Sequence, residues 1–394
     1  MPRTADARDR RTILVVIVST LLVLAVATAA TVVLAYRHLE GRITTGSAIK
    51  HSVRKSHRPK APLNLLLLGT DTRDCDGCKI DGESGKGGSD VTILLHVAAD
   101  RRSAYGISIP RDSLVDRPAC AKTSGGQSPA VTDVMWNDAF AVGGAACTAQ
   151  QLEQLSGIYV DHYLTVNFAG FIKMVDAVNG VDVCIPKAVD DTEHHIHLAA
   201  GQQTLHGKHA LDYIRERSST PNSDHGRMKR QQAFLASLIN KVFSAGTLTR
   251  PDRLYEFADA LAGSITTDPD INGLSDLVKL ARQLRHADLQ HIQFVTVPNE
   301  DFPRDSPDWG RVRILPTAKR LWRRVAADRP LGSGFSDEAI TAGAPPNASS
   351  TSTGSPTGSP TGSPTGSPTG SPTSAPTTTP TRSAQDAAAN GLCT

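Results

Sequence analysis

Leu63-Asn64-Leu65-Leu66-Leu67-Leu68-Gly69 decides the architecture of this chain. It is a short, almost unbroken apolar run stopped by glycine, the pattern of a strand buried on both faces. Val91-Thr92-Ile93-Leu94-Leu95-His96-Val97 repeats the pattern, and Ala104-Tyr105-Gly106-Ile107-Ser108-Ile109 gives a third strand ended by Pro110. Strands of this kind need helices on both sides. The sequence supplies them: helical spacing is read over 149–156, 168–178, 208–215 and 227–243. Further strands are expected at 161–166, 181–185 and 292–297. Interleaved strands and helices over residues 62–336 predict an α/β domain, layered α/β/α around a central mixed sheet.

Outside this domain the composition changes. Residues 13–35 carry no charge and are long enough to cross a bilayer as a helix, which takes about 20 apolar residues. Arg3, Arg8, Arg10 and Arg11 precede the run and favour a cytoplasmic segment at 1–12. Basic residues also follow it, from Arg37 to Lys60, so the charge rule alone does not set the orientation. Small-residue sites such as Ala25-Val26-Ala27 suit a cleaved signal peptide, but the run exceeds the roughly 7–15 residues of a signal core, which favours an uncleaved anchor. Residues 36–61 read as a basic stalk. Residues 337–394 lose apolar content, and Gly-Ser-Pro-Thr is written five times from Gly354, so a disordered tail is expected there. A single-pass membrane protein with its domain outside the cytoplasm follows.

The net charge of +3 is too mild, and too evenly spread, for a nucleic-acid partner. Six cysteines are present, five of them in the exported region, where disulfides persist. Cys75-x-x-Cys78 lacks the second ligand pair of a zinc site, so structural disulfides are expected, with Cys120–Cys147 one of the possible pairings.

Polar clusters lie at the strand ends, where α/β folds assemble sites. Gly69-Thr70-Asp71-Thr72-Arg73 follows the first strand, Ser89-Asp90 opens the second, and Pro110-Arg111-Asp112 closes the third. Asp71 and Asp90 are the candidate metal ligands: Mg²⁺ is commonly held by one or two carboxylates plus phosphate oxygens. Arg215, Arg217, Arg227 and Arg230 fall within sixteen residues, with Gln231 alongside. Guanidinium groups suit bidentate phosphate contact and remain charged. Each cluster taken singly also suits a capped turn or a solvated basic face.

Taken together, LNLLLLGTDTRD, GSDVTILLHV, SIPRD, WNDAFAVGG, GIYVDHYLTVNFAGFIKMVDAVNGVDVCIP, LHGKHALDYIRERS and DHGRMKRQQAFL resemble, in order, the LytR-CpsA-Psr family of cell-envelope proteins, of an actinobacterial type. The resemblance implies an apolar pocket for a polyprenyl chain, and arginines gripping a pyrophosphate. It implies a phosphotransferase moving teichoic acid, capsule or arabinogalactan-type polymers from a polyprenyl-pyrophosphate carrier to peptidoglycan. On it, Asp71 and Asp90 hold Mg²⁺. Arg73, Arg111, Arg215 and Arg217 are the expected catalytic residues, and Arg227, Arg230 and Gln231 the expected substrate-binding ones. Expected partners are the lipid-linked glycan, peptidoglycan and membrane lipid. Three departures stand out: a Cys- and Gly-rich insertion at 75–88, Trp136 where a basic residue is frequent, and Glu216 between two arginines. A pyrophosphate hydrolase with the same residues and a non-catalytic wall-binding anchor are the alternatives.

Overall fold

The computed structural model describes residues 7–55, 61–72, 87–192, 194–217, 223–244, 250–271, 273–284, 287–345, 387 and 390–393. Its centre is an eight-stranded sheet. In chain order the strands are β1 (Thr44–Thr45), β2 (Leu63–Thr70), β3 (Ser89–Val97), β4 (Ala104–Ser108), β5 (His162–Asn167), β6 (Ile265–Thr267), β7 (Ile292–Thr296) and β8 (Ile340–Thr341). They lie side by side as β1-β6-β5-β2-β3-β4-β7-β8. The sheet is mixed: β2 runs parallel to β5 and antiparallel to β3, while β4 is antiparallel to β3 and parallel to β7.

Alternation along β2 explains why both faces need cover. Leu66 and Leu68 face one side, where they pack with Leu94, Ile107 and Trp136. Helices α2 (Asp138–Ser156) and α8 (Ala318–Ala326) close that side with Leu152, Leu321 and Trp322. Leu63 and Leu65 face the other, against Val97, Phe294 and the alanines 233 and 236 of helix α5 (Ser223–Ser244). Leu280 of α7 (Leu274–Leu284) joins them. The expected three-layer α/β/α order is the observed one.

The second face is not filled evenly. Leu67, Leu95 and Leu164 belong to adjacent central strands and yet are only partly buried, as are Leu235 and Ile239 of α5 above them. Helix α5 thus covers the middle of this face incompletely.

Several boundaries differ from expectation. Helix α2 begins at Asp138, eleven residues before the periodic segment at 149, and passes through Gly143 and Gly144. Gly144 takes a positive φ of 63°. A Cβ on Gly143 would lie 2.4 Å from the carbonyl of Ala121. Glycine here lets α2 approach the hairpin to which Cys120–Cys147 ties it. Gly144 is itself non-helical and kinks α2, so the apolar spacing is regular only beyond it, over 149–156.

The region expected as a stalk lies on the domain. Helix α1 (Ala7–Glu40) ends in a buried Leu39, and β1 pairs with β6 at the sheet edge. Farther on, the buried Glu153 receives the imidazole of His51 and the backbone N–H groups of Ser52 and Val53. Parts of 337–394 also belong to the fold. Ile340–Thr341 forms the edge strand β8, Leu392 enters the apolar cluster under the sheet, and Cys393 is bonded to Cys184. The Gly-Ser-Pro-Thr repeats and the Cys75/Cys78 pair lie outside the described residues.

Candidate active site

The polar strand ends converge at one end of β2 and β3. Gly69 pairs with Val91 and Thr70 with Ser89, so Asp90 is the extra residue of a β-bulge. Such bulges re-aim one side chain away from the regular alternation. Asp90 thereby reaches Arg111, whose Nη1 lies 2.5 Å from its Oδ1.

Asp71 follows the last residue of β2. Its N–H donates to the carbonyl of Gly88 at 3.2 Å, and the Gly88 N–H donates back to its carboxylate. A Cβ on Gly87 would lie 2.7 Å from Cα of Thr72. The chain therefore leaves at Thr72 and returns at Gly87 at nearly the same point. The insertion therefore begins and ends beside the strand ends that carry Asp71 and Asp90. Arg73 lies outside the described residues.

Arg111 follows Ile109 and Pro110, just past β4, and its Nε also lies 3.3 Å from Asp112. Burial opposes its charge, yet Asp90 and Asp112 hold its pKa above the ordinary value. Asn137 fixes this corner, accepting from the Ser89 N–H at 2.8 Å while its own N–H donates to the Arg111 carbonyl at 3.1 Å. Trp136 is fully buried, and its indole N–H donates to Thr92. It is a pillar under the site, not a surface contact for an acceptor.

The arginine cluster divides. Arg217 stands 4.0 Å from Asp90 and 3.7 Å from Asp224. Arg227, on the first turns of α5, is only 4% exposed, with Nη2 3.0 Å from Asp224 and a buried Nε that has no hydrogen-bond partner among the described residues. Burial first, then the neighbouring Arg217, lower its pKa to about 10; Asp224 pulls the other way. A buried guanidinium crowded by Arg217 and Arg111 is short of negative charge, and an anion would supply it.

Arg230, three residues later, faces inward. Its Nη2 pairs with the buried Glu216 at 2.9 Å and also meets the Glu216 carbonyl. Gln231 donates to the carbonyl of Ile214, and Gln232 to the hydroxyls of Ser108 and Thr296. These three residues lock α5 to the end of helix α4 (Gly207–Arg215) and to two strand ends. Glu216 answers Arg230, so it does not neutralise the mouth. Arg215 ends α4 and lies over the ring of Phe168 at 4.8 Å, where helix α3 (Phe168–Ala177) leaves β5.

The structure thus brings Arg111, Arg217 and Arg227 together with Asp90 and Asp224, with Asp71 on the neighbouring strand end. Among the described residues, no group of three His, Cys, Asp or Glu side chains is placed to hold a metal. Two carboxylates on adjacent strand ends beside an anion cradle suit Mg²⁺ completed by phosphate oxygens. Asp224, Asn137 and the bulge at Asp90 were not singled out by the sequence reading. The acid three residues before Arg227, an i,i+3 neighbour on a helix, was the available signal for Asp224.

The LytR_cpsA_psr family model matches residues 33–311. The chain belongs to this family. The cell wall biosynthesis protein LcpA of Corynebacterium glutamicum is 32% identical over 264 residues, 60% of this chain and 49% of that protein. The polyisoprenyl-teichoic acid–peptidoglycan teichoic acid transferase TagU of Enterococcus faecalis is 30% identical over 228 residues, 58% of this chain and 67% of its own. This LytR-CpsA-Psr chain therefore spans about half the length of its corynebacterial relative. Its fold is that of the LytR-Csp2A-Psr enzyme from Actinomyces oris, with a TM-score of 0.51 at 23% identity over 72% of this chain and 96% of that one.

Proposed function

We propose that this protein is a membrane-anchored phosphotransferase that moves a glycopolymer from a polyprenyl-pyrophosphate carrier to peptidoglycan. The observation that carries the reading is the buried, under-partnered Arg227 beside Arg111 and Arg217, next to the strand-end acids Asp71 and Asp90. A diphosphate fits the needs of that cradle. The accessible leucines Leu67, Leu95 and Leu164 on the sheet face under α5 suit the hydrocarbon of the carrier. The apolar helix α1 is long enough to span a membrane and supplies the anchor, with the domain on the outer side. The transferase named for the relative TagU supports the reaction class.

In this reading Arg111, Arg217 and Arg227 bind and orient the diphosphate, and Asp224 holds Arg217 and Arg227 in place. Asp71 and Asp90 would hold Mg²⁺, which supplies charge neutralisation at the phosphates when bound. An acceptor hydroxyl oxygen forms the new bond to phosphorus as the bond to the carrier phosphate breaks. The hydroxyl proton is released and the carrier phosphate leaves with the bridging electron pair. Positioning and electrostatics carry such a step, with little covalent work for the protein. Asp90 is engaged by Arg111, so no base is assigned.

Product analysis tests the reading. The full chain is given a polyprenyl-pyrophosphate glycan, peptidoglycan fragments and Mg²⁺. Glycan phosphate joined to peptidoglycan is the expected product; glycan phosphate released into solution at the same rate with or without peptidoglycan would make it a hydrolase. No turnover, with peptidoglycan still bound, would leave a wall-binding anchor.

A further inference from the structure

We infer that α7 and helix α6 (Pro251–Ala262) form a membrane-docking face that seats the domain on the bilayer; this rests on α1 being a membrane span. The first observation is where α1 meets the domain. Its uncharged run ends at Ala35, and His38 and Arg42 both engage Asp259 of α6, at 3.3 and 2.7 Å. Gly273, just before α7, lies so close to Glu40 that a Cβ would sit 2.8 Å from its carboxylate. At 1.5 Å per helical residue, His38 is only about 5 Å beyond the apolar run and Arg42 about 10 Å. The polar layer of a bilayer is roughly 5–8 Å deep on each side. The helices that receive α1 therefore lie within or against the headgroups.

The second observation is what those helices expose. Among the described residues outside α1, only five large apolar or aromatic side chains are strongly exposed, and three are on α6 and α7: Leu254 (40%), Tyr255 (41%) and Val278 (40%). Tyr255 precedes Asp259 by four residues and so shares its flank of α6, toward the α1 junction. Arg253, Lys279 and Arg282 stand on the same two helices with the acids Asp252, Glu256, Asp259 and Asp276, so charge does not select the lipid. Tyrosine and leucine at headgroup level match the interface of a bilayer. The same two helices contribute Leu261 and Leu280 to the side of the sheet that holds the accessible leucines. Docking would bring the partly exposed leucines of that face toward the bilayer, from which the lipid carrier of the proposed reaction would come.

Added tryptophans in the full chain test this, each read as the change from wild type, whose own Trp136, Trp309 and Trp322 set the background, in vesicles of phosphatidylglycerol and phosphatidylcholine containing brominated phospholipid. Leu22→Trp reports on the span, Tyr255→Trp on the proposed face and Val131→Trp on an exposed strand beside α2, across the sheet. The expected result is added bromine quenching and a blue shift at Leu22→Trp and Tyr255→Trp, and neither at Val131→Trp. Quenching at Leu22→Trp with Tyr255→Trp behaving like Val131→Trp overturns the docking face and leaves the span intact. No quenching at Leu22→Trp removes the span itself, and the docking face with it.

Discussion

Arg227 and Arg230 stand three residues apart on α5, both nearly buried, and they answer to different partners. Arg230 is met by the carboxylate and the carbonyl of Glu216. Arg227 has one shared carboxylate and two cationic neighbours. A buried cation answered by its own carboxylate holds the fold, and one that shares a carboxylate with a second arginine is the better placed of the two to meet an anion. The same division separates His162–Asp268 and Glu153 with its donors on His51, Ser52, Val53 and Val160, which close on themselves, from the Asp90–Arg111–Arg217 corner, which is open to solvent.

The contrast is broken most forcefully at Arg230. Arg230→Ala leaves Glu216 buried without its cation, and unfolding should become easier by about 3–5 kcal/mol; urea unfolding of the full chain in detergent reads this. Arg227→Ala should do the reverse, leaving the unfolding midpoint nearly unchanged while lowering transfer by about 100- to 1,000-fold, the loss of one preorganised anion donor. If both variants unfold alike, the division between the two arginines is wrong.

Cys184→Ser tests whether the segment ending in Leu392 and Cys393 is a structural clasp. Loss of this link should cost about 2–4 kcal/mol of stability, visible as a lower Tm, with the diphosphate affinity of the folded protein retained. The smallest effect is at His162–Asp268. Burial works against both charges, yet the pairing raises the pKa of His162 and lowers that of Asp268. The raised histidine contributes fully below its unfolded value of about 6.5 and loses that contribution as pH rises through its folded value; the lowered aspartate contributes above about 3.9 and loses it as pH falls. Replacing His162 by Gln should therefore narrow the stability gap to wild type as pH is raised from 6 to 8, as followed by thermal melts. A gap that does not change with pH would assign the pair a packing role alone.

How far these features could be read from the chain depends on how local their causes are. The central strands were legible because a strand buried on both faces writes its own apolar run, as 63–69 does. The edge strands β1, β6 and β8 were not: Thr44–Thr45 and Ile340–Thr341 are two residues each, and their pairing is set by the neighbouring strand. The arginines and acids of the site were visible as types at strand ends, and their gathering at β2, β3 and β4 followed from strand order. The split between Arg227 and Arg230 was not visible, because it turns on which face of α5 meets Glu216. The basic segment 36–61 read as a stalk from its polarity, whereas Glu153, more than 90 residues away, draws 51–53 onto the domain.

The central claim is that the cradle of arginines beside Asp71 and Asp90 transfers a glycan phosphate to peptidoglycan. Its most direct test compares wild type with Asp71→Ala, full chain, by the rate at which labelled glycan from a polyprenyl-pyrophosphate donor becomes attached to peptidoglycan in Mg²⁺. Attachment by wild type and loss of at least about 100-fold in the variant, with unchanged folding, is the predicted result. Equal attachment by both proteins would contradict the account.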